Sequence, residues 1–258
     1  MIIKFYKYHG AGNDFILLDD REFNYSFSIK NIKEICDRKN GVGSDGFILL
    51  RNHKKYDFEM IYFNSDGKIS SMCGNGGRCI VHFAYFLKII KSSTVFLAID
   101  GPHEAQIISD SKVILKMNNI DEILKFKDYT FIDSGSPHHI IEKSKIDLID
   151  VKQIGSKIRY SKTYSPNGVN VNFIKKTSSK EFMVRTYERG VEDETLSCGS
   201  GAVASAIAMH SKGRTNQNKI KIKTLGGDLV VSFKFNKRYS GVTLEGPVKQ
   251  VFKGEIVF

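Results

Sequence analysis

Two stretches of this sequence repeat one pattern: Met72-Cys-Gly-Asn-Gly-Gly-Arg-Cys79 and Ser197-Cys-Gly-Ser-Gly-Ala-Val-Ala204. Each places a cysteine directly before Gly-x-Gly, and each continues into an apolar run with helical spacing. Both stretches therefore predict a strand, a polar loop, a cysteine and then a buried helix. Because Cys73 and Cys198 stand about half a chain apart, the pattern indicates two halves of related structure.

Outward from these stretches, apolar and polar residues alternate between turn residues, which is typical of strands. The strands predicted in this way are 2–8, 15–19, 58–63, 94–99, 104–108, 113–117, 130–133, 170–174, 182–188, 219–224, 228–235 and 242–245. Helical spacing occurs around 29–36 and after residues 77, 148 and 201. Many strands with a few helices favour an α+β fold over strictly alternating βα units.

Segments upstream of the two cysteines also correspond. Gly10–Phe15 lies about as far before Cys73 as 135–139 lies before Cys198. We therefore expect an N-terminal half at 1–120 carrying Cys73 and a C-terminal half at 121–248 carrying Cys198. The last strand, 249–258, is expected to return to the first half.

Composition and charge narrow the function classes. The chain has 258 residues, 41% of them hydrophobic, and a net charge of +11. Its lysines are spread along the chain and alternate with apolar residues, as in 219–223, which is typical of solvated strand faces. No nucleic-acid-binding motif supports a basic binding module, the alternative from another class, which would show strongly salt-dependent binding.

The N-terminal ten residues do not form a signal peptide, because Lys4 and Lys7 interrupt the apolar residues. Apolar runs such as 80–87 are too short to span a bilayer. We expect a cytoplasmic protein with no membrane partner. In that compartment four cysteines serve as thiols, ligands or nucleophiles rather than as a disulfide framework.

A cysteine at a helix start carries chemistry. The unpaired N–H groups and partial positive charge there favour the thiolate and can hold a carboxylate. Two such cysteines, one in each half, could invert a stereocentre: one removes the Cα proton while the other returns a proton to the opposite face. The helix N-termini would stabilise the developing carbanion through the carboxylate.

The other cysteines have simpler interpretations. Cys36 lies on the apolar side of a helix and is expected to pack, and Cys79 is expected inside the helix that follows Cys73. The Cys73–Cys79 spacing does not suit a zinc site, and no Cys-x-x-Cys indicates a thiol redox protein. We expect no metal and no cofactor.

Several further motifs occur in order along nearly the whole chain, namely 9–15 (HGAGNDF), 63–67 (FNSDG), 136–138 (SPH), 168–171 (GVNV) and 187–190 (YERG). Together with the two Cys-Gly motifs they resemble the diaminopimelate epimerases. The resemblance implies two pseudo-symmetric domains, each a central helix wrapped by mainly antiparallel strands. It implies cofactor-independent interconversion of LL- and meso-diaminopimelate in lysine and peptidoglycan biosynthesis, and a homodimer.

The resemblance also assigns site residues. Cys73 and Cys198 resemble the acid–base pair of the family. The reacting carboxylate would be held at helix N-termini by Gly74, Asn75, Gly199 and Ser200. The distal end of the substrate would be bound by Asn13, Asn64, Asn170 and Arg189. His138 and Glu188 would tune the thiols or contact the amino group.

This sequence departs from the family pattern at three positions. Many members have Gln where Gly46 stands, Asn where Ser136 stands and Thr where Ser200 stands. Ser200 keeps the hydroxyl, whereas Gly46 and Ser136 imply either a different distal group or a neighbouring residue that fills in. A proline or hydroxyproline racemase is the rival within this chemistry, and the Asn and Arg residues for a distal group argue against it.

Overall fold

The computed structural model describes residues 2–22, 25–70 and 72–257, and contacts divide the chain into two compact units. One unit extends to Leu115 and includes the chain from Pro247 onward, while the other comprises Lys116–Gly246. The sequence placed this division at residue 120.

The first part of the chain contains seven strands and two α-helices among its described residues. Their bounds are β1 (Ile2–Gly10), β2 (Asn13–Asp19), α1 (Ile29–Cys36), β3 (Gly46–Arg51), β4 (Glu59–Asn64), α2 (Gly74–Phe86), β5 (Ser93–Ala98), β6 (Gly101–Ser109) and β7 (Lys112–Lys116). Ser28 caps α1, because its hydroxyl accepts the N–H of Asn31 and the Asn31 side chain accepts the N–H of Ser28.

The second part continues with nine strands, two α-helices and a 3-10 turn at Ile146–Leu148. Their bounds are β8 (Leu124–Lys125), β9 (Thr130–Asp133), β10 (Pro137–Glu142), α3 (Val151–Arg159), β11 (Asn170–Lys176), β12 (Glu181–Glu188), β13 (Asp193–Thr195), α4 (Gly199–Ser211), β14 (Lys219–Thr224), β15 (Gly227–Asn236) and β16 (Arg238–Pro247). A last strand, β17 (Lys249–Val257), pairs antiparallel with β1.

The two units share one topology. In the first, the strand order is β17-β1-β2-β3-β4-β5-β6-β7, with β2–β3 and β4–β5 parallel and the other neighbours antiparallel. In the second, the order is β8-β9-β10-β11-β12-β14-β15-β16, with β10–β11 and β12–β14 parallel and the others antiparallel. Each parallel pair is joined through a helix, as a parallel crossover requires. The short β13 adds to β12 in the second unit.

Each unit places one helix against its strands. α2 contacts β1, β2, β3 and β6, while α4 contacts β9, β10, β11, β12, β14 and β15. Both helices are buried along most of their length, and α2 buries the polar Asn75 and Arg78 together with its apolar residues. These features confirm the α+β class with central helices wrapped by mainly antiparallel strands.

Three features differ from or refine the sequence expectations. β3 and β10 were not predicted, because β3 is a continuous apolar run buried on both faces and β10 begins with Pro137 and two histidines. The central helices begin at Gly74 and Gly199, earlier than the predictions from residues 77 and 201, because glycine carries no apolar signal. Cys36 packs in the core beneath α1 as predicted, and Cys79 lies inside α2.

Candidate active site

Cys73 occupies the N-cap position of α2, at the end of the helix that carries its partial positive charge. Its Sγ donates to Asn13 Oδ1 over 3.6 Å. The same oxygen accepts from Asn75 Nδ2 at 3.2 Å, and Asn13 Nδ2 donates to Asp45 Oδ2 at 2.7 Å. The Asn13 amide is thereby fixed with its oxygen toward the thiol.

A charged cluster supports Asn13. Arg38 donates to Asp14 and Asp45, and Lys7 lies 2.6 Å from an Asp14 oxygen. Burial by itself would raise the pKa of Asp14, but hydrogen bonds and positive charge from Arg38 and Lys7 lower it to about 2. Asp14 is therefore an anion at neutral pH, and the cluster holds the loop that carries Asn13.

The Arg78 side chain holds the first turn of α2 in place through hydrogen bonds. The side chain is fully buried, its Nη1 donates to Gly74 O at 3.1 Å, and its Nη2 donates to Asn75 Oδ1 at 2.7 Å. Burial lowers the pKa of Arg78 to about 10, so the guanidinium stays charged at neutral pH. Asn13 and Arg78 thus engage both ends of the Asn75 side-chain amide.

Cys198 occupies the matching N-cap position of α4, but with a different hydrogen-bonding role. Its Sγ accepts the Gly201 N–H at 3.4 Å and lies 3.6 Å from the Ser200 hydroxyl. Donors that point at a sulfur favour its ionised form. The described contacts thus give Cys73 a donating role and Cys198 an accepting one.

A chain of buried hydrogen bonds through His138, here called the His138 relay, ends at the Ser200 hydroxyl and orients it. Thr186 Oγ1 donates to Asn172 Oδ1 at 2.9 Å, and Asn172 Nδ2 contacts His138 Nδ1 at 2.9 Å. His138 Nε2 lies 2.9 Å from Ser200 Oγ. Burial first, and then the charge of Arg189, lower the pKa of His138 to about 3, so the ring is neutral. Because Nδ1 accepts from Asn172, Nε2 carries the proton and donates to Ser200, which leaves the Ser200 proton for Cys198.

The remaining predicted residues of the second unit surround Asn170. Its Oδ1 accepts the Arg189 N–H at 2.9 Å, and its Nδ2 donates to Ser136 Oγ at 2.9 Å. Arg189 Nη2 lies 3.5 Å from the same Ser136 hydroxyl. Glu188 accepts from Thr195 at 2.9 Å. Ser136, a departure from the family pattern, is thus integrated into the contact set of Asn170 and Arg189.

In the first unit, Asn64 lies at the end of β4, paired in register with Gly46. Its Oδ1 accepts from Tyr62 Oη at 2.8 Å. Asn64 is partly exposed, whereas Tyr62 is buried.

Sequence reasoning missed several residues that hold the predicted ones in place. They are Asp45, Tyr62, Arg78, Asn172 and Thr186. Two carried a usable signal: Asn172 follows Asn170 by two positions in a strand and shares its face, and Arg78 follows Gly74 by one helical turn.

Within the described ranges, no three His, Cys, Asp or Glu side chains lie close enough to hold a metal ion. Over the same part of the chain, no helix is both long and apolar enough to cross a membrane.

Comparison with solved structures identifies the fold. A phenazine biosynthesis protein of the PhzF family from Bacillus anthracis matches with a TM-score of 0.80 at 12% identity, with 100% of both chains covered. A hydroxyproline epimerase from Agrobacterium vitis matches with a TM-score of 0.71 at 13% identity, covering 99% of this chain and 92% of that one. At these identities the likeness is one of fold.

Sequence comparison is more specific. The family model described as diaminopimelate epimerase matches residues 5–121 and 130–251. A diaminopimelate epimerase from Flavobacterium psychrophilum is 49% identical over 256 residues, covering 98% of this chain and 100% of the relative. These sequence matches define the chain as an isomerase of the epimerase type. The chain belongs to the diaminopimelate epimerase family.

Proposed function

We propose that this protein interconverts LL- and meso-diaminopimelate through Cys73 and Cys198, acting as a pair of thiols on opposite faces of one Cα. The observation that carries the proposal is that both cysteines are the N-caps of buried central helices, each at the same place in one topology. Family membership at 49% identity favours diaminopimelate over proline-type substrates, since the hydroxyproline epimerase shares only 13% of its residues with this chain.

The reacting carboxylate is assigned to the first turns of the two helices. Gly74, Asn75, Gly199 and Ser200 lie in the first turns of these helices, where their backbone N–H groups are at the positive end of the helix dipole. As the Cα proton leaves, negative charge moves into the carboxylate. The same N–H groups therefore stabilise the carbanion more strongly than the ground state.

The hydrogen bonds of the free protein suggest the resting roles of the two thiols. Cys198 is assigned as the thiolate, because it accepts from Gly201 and faces the Ser200 hydroxyl at the end of the His138 relay. Cys73 is assigned as the protonated thiol, because its S–H donates to Asn13. In one turnover the Cys198 sulfur takes the Cα proton and the Cys73 S–H returns one to the opposite face. The roles then reverse for the other direction.

His138 is assigned as an orienting residue rather than a proton carrier. With its pKa lowered to about 3 by burial and by Arg189, it stays neutral through the working range of a cytoplasmic enzyme. Its N–H holds the Ser200 hydroxyl toward Cys198. The Asn13 side chain contacts the Cys73 thiol and is assigned to orient it. The distal end of the substrate is assigned to Asn64, Asn170, Glu188 and Arg189.

Single cysteine variants test the proposal. Cys73→Ala and Cys198→Ala should each abolish epimerisation, because one thiol cannot serve both faces. Cys36→Ala is the matched control, since Cys36 packs under α1 and should leave turnover unchanged apart from a loss of stability. Full turnover in either Cys73→Ala or Cys198→Ala would exclude the two-thiol mechanism.

We also propose that the enzyme works as a homodimer in the cytoplasm and does not bind nucleic acid. Exposed apolar side chains that lie opposite each other on β1 and β17, Ile2 and Val257, support an association surface. Sedimentation equilibrium should give twice the mass of the chain, and Val257→Glu should shift it toward the monomer. A wild-type monomer at all concentrations would contradict this assignment.

A further inference from the structure

Gly46 leaves a space that Tyr62 occupies. A Cβ atom added at Gly46 would lie 2.6 Å from Tyr62 Cε2, 3.2 Å from its Oη and 3.0 Å from the Phe63 carbonyl oxygen. The first separation is shorter than real Cβ contacts, and the aromatic carbon belongs to a buried ring whose edge meets Phe15 with 6.0 Å between centroids. The ring cannot retreat easily, so any side chain at position 46 would displace it.

The position of this ring determines how Asn64 is held. The Tyr62 hydroxyl donates to Asn64 Oδ1 at 2.8 Å. Register pairing places Gly46 directly opposite Asn64 in β3 and β4, so the absent side chain, the ring and the amide are immediate neighbours. Two residues apart on one strand, Tyr62 and Asn64 share a face.

An amide whose oxygen is already engaged acts toward a ligand as a donor. Over residues 2–22, 25–70 and 72–257, the Asn64 amide nitrogen makes no hydrogen bond to the protein, and the residue is partly exposed. An N–H donor is complementary to a carboxylate and not to an ammonium group, which has no acceptor. Without the Tyr62 hydroxyl, the amide could turn and present its oxygen instead.

We propose that Tyr62, admitted by Gly46, is a positioning residue that orients Asn64 so that its Nδ2 donates to the distal carboxylate of the substrate. This inference rests on the proposed function, because it takes Asn64 to bind the distal end. It also accounts for Gly46, where many family members have Gln: a side chain there and a Tyr62 ring in this position exclude one another.

The test is Tyr62→Phe, which keeps the ring and removes the hydroxyl. Losing one orienting hydrogen bond should raise KM for diaminopimelate about three- to tenfold, with kcat within about twofold of wild type. Tyr8→Phe is the matched control, since it removes a buried hydroxyl that donates to Gln250 in the same unit. It should leave KM unchanged.

A second measurement separates orientation from general damage. L-Lysine has the distal amino group of diaminopimelate but no distal carboxylate, so its inhibition constant should be the same for wild type and Tyr62→Phe. Gly46→Ala should raise KM in the wild-type background and have a smaller effect combined with Tyr62→Ala, because the steric conflict is then gone. An unchanged KM in Tyr62→Phe, or equal weakening of lysine and diaminopimelate, would overturn the inference. Loss of all activity in Cys73→Ala would in that case leave the proposed function standing.

Discussion

Gly201 and Gly76 occupy equivalent positions in the two Cys-Gly-x-Gly motifs, yet the structure predicts that alanine destabilises the protein at Gly201 and is tolerated at Gly76. At Gly201 an added Cβ would lie 2.5 Å from Asn172 Oδ1 and 3.2 Å from Cys198 Sγ. Asn172 is fully buried and held from both ends by Thr186 and His138. It cannot yield without breaking the relay that orients Ser200.

The magnitude follows from these contacts. Forcing a methyl group into a packed site that cannot relax costs about 1–3 kcal/mol, and replacing a helical glycine by alanine returns about 0.5–1 kcal/mol. Because Asn172 is held at both ends, the cost falls toward the upper part of this range, about 2–3 kcal/mol, and Gly201→Ala should destabilise the protein by about 1–2.5 kcal/mol. Each kcal/mol lowers Tm by about 2–4 °C in a chain of this size. Because Asn172 moves away from His138, kcat should also fall about 10- to 100-fold.

Gly76→Ala provides the internal control. There the added Cβ would meet Ile48 Cδ1 at 3.2 Å, Phe15 Cε1 at 3.4 Å and Met60 Cε at 3.5 Å. Two of these atoms end flexible side chains and the third is at an ordinary contact distance, so the site should accept the methyl group. We expect a free energy of unfolding within about 0.5 kcal/mol of wild type, with the helix-propensity gain offsetting mild crowding.

Urea unfolding and steady-state kinetics on the two variants provide the comparison. The reasoning requires Gly201→Ala to be the less stable and the less active variant. Equal stability of the two variants, or a greater loss in Gly76→Ala, would refute the assignment of Asn172 as a fixed element of the Cys198 site.

The remaining predictions concern single groups. Asn172→Leu should lower kcat in steady-state kinetics, because it removes the hydrogen bond to His138. In urea unfolding, apolar packing of the leucine should offset part of the stability lost with the Asn172 hydrogen bonds. An unchanged kcat would show that Asn172 does not act through His138 in the mechanism. Arg78→Met should reduce kcat far more than a surface change such as Arg238→Met, because it removes the hydrogen bonds to the Gly74 carbonyl and the Asn75 amide. Equal kcat values for the two variants would contradict a role for Arg78 in holding the first turn of α2. His138 has a folded-state pKa of about 3 against an ordinary value of 6.5. The unfolded chain therefore binds the extra proton first, and this contribution to stability is present above pH 6.5 and is lost as pH falls toward 3. Urea unfolding across that range should show a shallower acid-side decline for His138→Gln, and an identical decline would contradict a buried neutral histidine.

The sequence was informative where chemistry is local. A cysteine before Gly-x-Gly and an apolar run predicted that a buried helix follows each cysteine, because helical burial depends on neighbouring residues. Even so, the glycines concealed the first turn of each helix. The continuous apolar run of β3 gave no period-two signal, since a strand that is buried on both faces has no polar side.

The supporting residues were harder to predict because their roles depend on distant partners. Asn172 matters through Thr186 and His138, which lie on neighbouring strands, and Asp45 matters through Asn13, which begins β2. Gly46 illustrates the limit most clearly. Its departure from the family pattern was visible in the sequence, but the Tyr62 ring that requires it follows only from the register of β3 and β4.

The most direct test of the two-thiol account is incubation of the reduced protein with LL-diaminopimelate in D2O without added cofactor. The account predicts meso-diaminopimelate carrying one deuterium at the inverted Cα, because the returning proton comes from a thiol that has equilibrated with solvent. Meso product without solvent deuterium at that carbon, or no conversion of LL-diaminopimelate by protein with all four thiols reduced, would contradict it.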